Sequence, residues 1–286
     1  MEERIGFIGL GVMGRSMAHL LLAKFKNLNI YSRTKEKALP LIEEGATWYA
    51  SAKEVAENSD VVFTIVGYPK DVREVYESMM SVDVKGKLFV DMTTTEPSLE
   101  KEIGKALGEK GASFIDAPVS GGDKGAREGT LSIMCGGEKE DVDRAMKYFL
   151  VMGKTIEHLG PVGSGQHTKM ANQILISGTM IGLCESLVYA KKAGLDLMQV
   201  ISTLSKGAAG CWSLDNYGPR IVNGDFNPGF MVKHFVKDMK IAIDESRKMG
   251  LCLKGLDLVE RLYEEMEKEG EGNLGTHALY NAIGRL

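Results

Sequence analysis

The stretch Ile5-Gly6-Phe7-Ile8-Gly9-Leu10-Gly11-Val12-Met13-Gly14 decides how this chain is read. It opens with an apolar run of strand length. Met13, Met17, Leu20, Leu21 and Lys24 then recur at helical spacing. A strand turning directly into a helix through Gly-x-Gly-x-x-Gly is the context in which that pattern holds a dinucleotide. The first glycine permits the tight turn, the second lets backbone approach a pyrophosphate, and the third lets the helix pack on the strand. Unpaired N–H groups and the positive dipole end of the helix favour phosphate there. Gly9, Leu10, Gly11, Val12, Met13 and Gly14 are therefore candidate cofactor residues, with a plain strand–turn–helix as the competing reading. The same run is apolar enough to suggest a signal-peptide core, but Glu2 and Glu3 stand where such a peptide needs positive charge.

Working outward, strand-like and helix-like patterns alternate through the first half. Asn29–Tyr31, Asp60–Val66, Leu88–Val90, Phe114-Ile115 and Ser132–Met134 read as strands. Lys35–Glu44 reads as one helix closed by Gly45, Ser51-Ala52-Lys53-Glu54 as a capping box, and Pro97 as the start of a helix running towards Gly111. The alternation predicts βαβ units and a mostly parallel, doubly wound sheet of the Rossmann type, an α/β class. The pattern changes at Gly160-Pro161-Val162-Gly163-Ser164-Gly165, a hinge by composition. Beyond it no strand pattern is convincing. Helical patterns occupy Gln166–Lys192, Met198–Leu204, Val232–Met249, Leu256–Lys268 and His277–Ile283. The expected organisation is a dinucleotide-binding domain over 1–162 and an all-α domain over 163–286 that begins with a long interdomain helix.

The composition agrees with a soluble globular protein. Of 286 residues 34 are glycine, above the usual ~7%, but without a triplet repeat. The glycines cluster at Gly6–Gly14, Gly121–Gly137 and Gly153–Gly165, which points to close backbone approach to ligands. A net charge of −4, without basic or acidic blocks, gives no footprint for nucleic acid. The longest later apolar run, Ile174–Cys184, is short for a bilayer, so no membrane partner is expected and the protein reads as cytoplasmic. Four scattered cysteines and five isolated histidines show no metal-ligand spacing.

The second strand ends Tyr31-Ser32-Arg33-Thr34, without the acid that usually binds a ribose 2′-hydroxyl. Ser32 and Thr34 can donate hydrogen bonds and Arg33 can pair a phosphate bidentately, so NADP(H) is the preferred cofactor, with NAD(H) possible. Val66-Gly67-Tyr68-Pro69 and Asp91-Met92-Thr93-Thr94-Thr95 end further strands at the ligand-binding edge. Thr94 can line the nicotinamide ribose or cap the next helix. Asp116-Ala117-Pro118-Val119-Ser120-Gly121-Gly122 offers a hydroxyl and backbone N–H groups to an anion, or is simply a turn. Lys169 and Asn172 share a helix face just after the glycine hinge. On spacing alone Lys169 is equally a snorkelling surface residue or a proton donor in a cleft. Lys237-Asp238 has the pattern of an exposed pair. His167 points about 160° away from Lys169 on a helix and is not a candidate.

Together these segments resemble the 3-hydroxyisobutyrate dehydrogenase-like family of β-hydroxyacid dehydrogenases. Four motifs occur in family order: Phe7–Gly14, Asp116–Gly122, Gly163–Gln173 and Lys237–Ala242. The resemblance implies that Lys169 is the general acid and that Ser120, Gly121, Gly122 and Asn172 bind substrate. It implies that Lys237 closes over the nicotinamide end, that Asp238 orders the site, and that Phe230 and Thr94 line the pocket. Gln173 departs from the second asparagine of many members. The Ser32-Arg33-Thr34 segment looks more like NADP-using semialdehyde and glyoxylate reductases. The resulting expectation is reduction of a short semialdehyde or oxo acid, such as succinic semialdehyde or glyoxylate. The alternatives are an NAD-linked 3-hydroxyisobutyrate or serine-type dehydrogenase, and a non-catalytic NADPH-binding module. The apolar length of the long helix also predicts a homodimer or homotetramer.

Overall fold

The fold, taken from a computed structural model, is described for residues 3–285. Strand β1 (Ile5–Ile8) is buried at every position and leads into α1 (Val12–Phe25). There follow β2 (Leu28–Tyr31), α2 (Leu39–Glu43), β3 (Thr47–Trp48), α3 (Ala52–Asn58), β4 (Val61–Thr64), α4 (Pro69–Met79), β5 (Leu88–Asp91), α5 (Pro97–Glu109) and β6 (Ser113–Asp116). These strands form one parallel sheet in the order β3-β2-β1-β4-β5-β6. The direction of winding reverses between β1 and β4, so the ligand crevice of such a sheet belongs at the carboxyl ends of these strands.

Alternation along each strand separates two apolar layers. Phe7, Val61, Phe63, Leu88 and Val90 face one layer, with Leu21, Tyr148 and Phe149. Ile8, Val62 and Phe89 face the other, with Tyr76, Leu107 and Phe114. Burial on both faces explains why these strands read as continuous apolar runs.

A smaller sheet follows. It contains β7 (Val119–Ser120), β8 (Leu131–Cys135) and β9 (Gly153–His158) in that order, with α6 (Gly122–Glu128) and α7 (Lys139–Met152) between them. Strand β8 pairs antiparallel with β7 and parallel with β9. The chain then continues as α8 (Ser164–Lys192), α9 (Leu197–Leu204), α10 (Trp212–Val222), α11 (Val232–Lys248), α12 (Lys254–Lys268) and α13 (Leu279–Arg285). Among the described residues no strand follows β9. The architecture is thus a Rossmann-like α/β unit followed by a helical one. Packing divides them within α8, between Lys169 and Met170. The helical unit has its own core, including Met180, Leu187, Phe235, Met239, Val259 and Tyr263. Helix α8 is long and apolar enough to cross a membrane, but Met180, Cys184 and Leu187 are buried in that core.

Two local expectations need correction. The stretch expected as one helix over Lys35–Glu44 is a 3-10 turn, Lys35–Lys37, followed by α2. Pro40 is the cause: lacking an N–H and clashing with the turn before it, proline is accommodated only where a new helix begins. The glycine-rich segment expected to act as a hinge is tightly packed. A Cβ at Gly165 would lie 2.2 Å from the Met134 carbonyl oxygen and 2.6 Å from that of Asp116. Asp116, fully buried, accepts from the Gly163 amide at 2.6 Å and the Gln166 amide at 2.8 Å, so its carboxylate holds the start of α8. Burial pushes Asp116 up to about 7, while those amides act in the opposite direction.

Because no side chain has room at position 165, Gly165→Ala forces backbone apart. A loss on the order of 1–3 kcal/mol is expected, measured as a lower denaturant midpoint.

Candidate active site

The carboxyl edge of the parallel sheet gathers most of the sequence candidates of the first unit. Gly9 adopts φ +97°, and its amide donates to the Tyr31 carbonyl at 2.9 Å. A Cβ at Gly9 would lie 2.0 Å from the Ile65 oxygen, and one at Gly14 2.0 Å from the Gly9 oxygen. At Gly11 it would meet nothing within 4 Å. The first and third glycines therefore serve packing, and the second leaves open space before the N-terminus of α1. That helix has no acid in its first turn and no side-chain cap at Gly11. Its leading N–H groups are left for an external acceptor, and a pyrophosphate fits this cradle. Leu10 is buried beneath the turn, Met13 is half-buried and Val12 is exposed.

Ser32, Arg33 and Thr34 follow β2, and Val66, Gly67, Tyr68 and Pro69 follow β4, the strands on either side of β1. Sequence reading found no acid at the end of β2, but the structure brings one from α4. Arg33 Nη1 donates to Asp71 Oδ1 at 2.9 Å, and Asp71 Oδ2 accepts from the Tyr68 amide at 3.1 Å. Asp71 is buried, whereas the Arg33 side chain is 72% exposed. The ion pair joins the two loops and offsets part of the Arg33 charge, to a degree limited by solvent screening.

The loop after β5 is tied to both its neighbours. Val66 donates its amide to Thr93 Oγ1 at 2.9 Å. Gln166, fully buried in the first turn of α8, donates Nε2 to the Thr93 carbonyl at 2.7 Å and accepts from the Thr95 amide at 3.1 Å. Thr94 lies half-buried between these two anchors. Lys169 follows Gln166 by three residues, on the same helix face, and is only 6% exposed. His167 is half-buried, with Nε2 3.3 Å from Lys101 Nζ.

The Ser120-Gly121-Gly122 segment is more ordered than a flexible nest. Ser120 belongs to β7 and pairs with Ser132. Gly121, at φ +128°, precedes α6, which begins at Gly122. The Ser120 side chain remains half-buried.

In the helical unit, Asn172 Nδ2 donates to Gln173 Oε1 at 2.8 Å, and Gln173 Nε2 donates to Asp238 Oδ2 at 2.7 Å. Lys237 Nζ lies 2.9 Å from Asp238 Oδ1. The pair that looked exposed by pattern is almost wholly buried, with side chains 12% and 3% accessible. Gln173, the departure from the family pattern, is thus the link among Asn172, Asp238 and Lys237. Phe230 stands outside this chain, its ring 5.8 Å from that of Phe235. Sequence reasoning missed Asp71 and Gln166. The only signal for Gln166 was a polar residue one helical turn before Lys169.

Residues 4–160 match the model for the NAD binding domain of 6-phosphogluconate dehydrogenase. Residues 163–283 match that for the NAD-binding region of NADP-dependent 3-hydroxyisobutyrate dehydrogenase. The chain belongs to the 3-hydroxyisobutyrate dehydrogenase-like family. It is 50% identical, over 100% of its length and 86% of the relative's, to an Arabidopsis thaliana protein described as "Probable 3-hydroxyisobutyrate dehydrogenase-like 1, mitochondrial". It is 35% identical to the 2-hydroxy-3-oxopropionate reductase of Escherichia coli K12, over 98% and 97% of the two chains. The 3-hydroxyisobutyrate dehydrogenase of Mycobacterium tuberculosis, solved with L-serine, superposes with a TM-score of 0.93 at 27% identity, over 99% of each chain. The protein is an NAD(P)-dependent β-hydroxyacid dehydrogenase, an oxidoreductase.

Gln173→Leu keeps the volume but leaves Asp238 Oδ2 without its donor. A buried unsatisfied carboxylate oxygen costs on the order of 1–3 kcal/mol, so the denaturant midpoint should fall. Gln173→Glu should restore nothing, because it sets one carboxylate against another.

Proposed function

We propose that this dehydrogenase works as an NADPH-dependent reductase of a short semialdehyde or oxo acid, with Lys169 as the general acid. The observation that carries the reading is the Gln166 clamp. Two hydrogen bonds from its amide fix the first turn of α8 to the Thr93–Thr95 loop at the nucleotide-binding edge. A buried lysine three residues further on is thereby held to a rigid element.

A nicotinamide held at this edge would supply the hydride for reduction of the substrate carbonyl. Lys169 delivers a proton from Nζ to the carbonyl oxygen as the C=O bond becomes a C–O single bond, and the product is the hydroxy acid. Proton transfer by a positioned group of this kind contributes ~10²–10⁴-fold to the rate. Ser120 and the backbone N–H groups of Gly121 and Gly122 receive the substrate carboxylate. Asn172 orients the reacting oxygen, and Thr94 and Phe230 bound the pocket. We assign Lys237 to the cofactor, with Asp238 as its partner in a buried ion pair. We also propose that copies associate as a homodimer or homotetramer through the helical unit. Leu175 and Tyr189 leave apolar surface of α8 70% and 75% exposed.

Lys169→Ala should lower kcat by about 10²–10⁴-fold while the dissociation constants of NADPH and NADP⁺ stay within a few-fold of wild type. Turnover that survives this change at equal cofactor affinity would sink the mechanism. A panel of semialdehydes, oxo acids and hydroxy acids assayed with both cofactors tests the substrate class.

The preference for NADPH rests on Arg33, Ser32 and Thr34 and on the lack of an acid within that segment. A second reading, use of NAD(H) as well, is favoured by Asp71, which already occupies one Arg33 donor. A charge-assisted hydrogen bond is worth about 1.5–3 kcal/mol. Arg33→Ala should therefore lower kcat/KM for NADPH by roughly 10–100-fold and leave NADH within a few-fold. Wild-type enzyme that strongly prefers NADH would overturn the assignment.

A further inference from the structure

Two carboxylic acids lie behind the Thr93–Thr95 loop where neither touches solvent. Asp91 ends β5, Glu100 stands in the first turn of α5, and both are fully buried. Asp91 Oδ1 is fully occupied: it accepts from the Thr93 amide at 2.9 Å and from Thr64 Oγ1 at 3.0 Å. Tyr76 joins the same chain through a 2.9 Å hydrogen bond with Thr64 Oγ1. Asp91 Oδ2 and both oxygens of Glu100 receive no N–H or hydroxyl donor, although the two side chains are within hydrogen-bonding reach of each other. The titratable groups around Glu100 are Asp91 on β5, Asp116 on β6 and the Tyr76 phenol on α4, all of them acids. Two adjacent carboxylates repel each other, and in so dry a place one is driven to hold a proton.

We propose that Asp91 and Glu100 share a single proton, with Glu100 as a neutral acid donating to Asp91 Oδ2, and that this pair is the anchor positioning the cofactor-facing loops. Its reach follows the hydrogen bonds outward. Asp91 fixes the Thr93 amide, Thr93 Oγ1 fixes the Val66 amide, and the Thr93 carbonyl fixes Gln166. The Val66–Pro69 loop after β4, the threonine loop and the turn of α8 that precedes Lys169 therefore share one buried origin. Burial, reinforced by Asp91 and Asp116, drives Glu100 well above the usual carboxyl range. Burial raises Asp91 too, against the bonds from Thr93, Glu100 and Thr64. The positioning role rests on the dinucleotide lying at this edge of the sheet.

The test uses the whole enzyme. Glu100→Gln supplies a permanent N–H donor to Asp91, and Glu100→Ala removes the donor. Titrated with NADPH and with NADH, in the absence of substrate, Glu100→Gln should match wild type within twofold and Glu100→Ala should bind both at least tenfold more weakly. The linkage has a definite sign. Folded wild type must retain a proton that its unfolded chain releases above the ordinary glutamate pKa, so wild type loses stability as pH rises and Glu100→Gln does not. The Tm of Glu100→Gln should thus gain on wild type from pH 5 to pH 8. A gap that stays constant over that range overturns the shared proton. Wild-type affinity for both cofactors in Glu100→Ala overturns the positioning role. Should that variant fail to fold, Thr93→Val, which removes the acceptor of the Val66 amide, decides the same point by the same titration. None of these measurements requires the right substrate, so an error in the proposed reaction leaves them intact.

Discussion

The first turn of α8 is locked to the sheet by side chains with no alternative partners. Asp116 receives the Gly163 and Gln166 amides, and the Gln166 side chain grips the backbone of Thr93 and Thr95. All of these groups are buried, so breaking any bond exposes no compensating water and costs more than a surface bond would. The sequence requirement is strict. Gly165 must lack a side chain for the helix to approach the Asp116 carbonyl, and Gly136, where a Cβ would lie 2.4 Å from Asp116 Oδ1, must lack one for the same reason. A helix start that looks flexible in composition is one of the least yielding parts of the unit.

That rigidity is what the general-acid role proposed for Lys169 calls for. A parallel sheet delivers loops to one edge, but loops alone are mobile. Here the loops after β4 and β5 are bonded to each other through Thr93, and the β5 loop is bonded to a helix through Gln166. A lysine on that helix inherits the precision of the sheet. The helical unit repeats the device with different residues. Gln173, four residues after Lys169 on α8, holds Asp238, and Asp238 holds Lys237. Glutamine suits both positions because a neutral amide donates and accepts at once, without adding charge beside a lysine.

How much of this could be read beforehand depended on sequence distance. The Gly9–Gly14 turn was legible because strand, turn and helix are contiguous and the glycine spacing marks the turn, although the close contact that requires Gly9 comes from Ile65, out of reach of any local pattern. Helix α4 was hidden because Pro69 reads as a turn, although proline is equally suited to the first helical position. Strand β3 has only two residues and no periodicity to detect. The Arg33–Asp71 pair spans 38 positions, the Gln173–Asp238 bond 65 and the Gln166 bonds more than 70. No propensity or spacing rule reaches that far. Two glycines of the supposed hinge were misread for the same reason, since Gly165 meets Met134 and Asp116, and Gly163 meets Lys101, all distant in sequence.

Cofactor choice shows why the long-range partner matters. On sequence alone the end of β2 offers a cation and no acid, which favours a 2′-phosphate while leaving NAD(H) possible. In the folded chain Asp71 lies against Arg33, fixed by the Tyr68 amide at the start of α4. The positive end of that helix and the guanidinium together offset its charge. The remaining N–H donors of Arg33 form a planar fork that can still meet a phosphate from the solvent side. Repulsion from a carboxylate a few ångströms behind the fork amounts to about 1–4 kcal/mol per unit charge, between the bulk-water value and that usual near a protein surface. This is of the same order as the gain from a charge-assisted pair, so Asp71 weakens the pull of Arg33 on the 2′-phosphate of the proposed cofactor. At the same time it spares Arg33 the entropy of being fixed when the cofactor arrives. A buried acid supplied by a neighbouring loop therefore acts differently from an acid at the end of β2, which would meet the ribose directly.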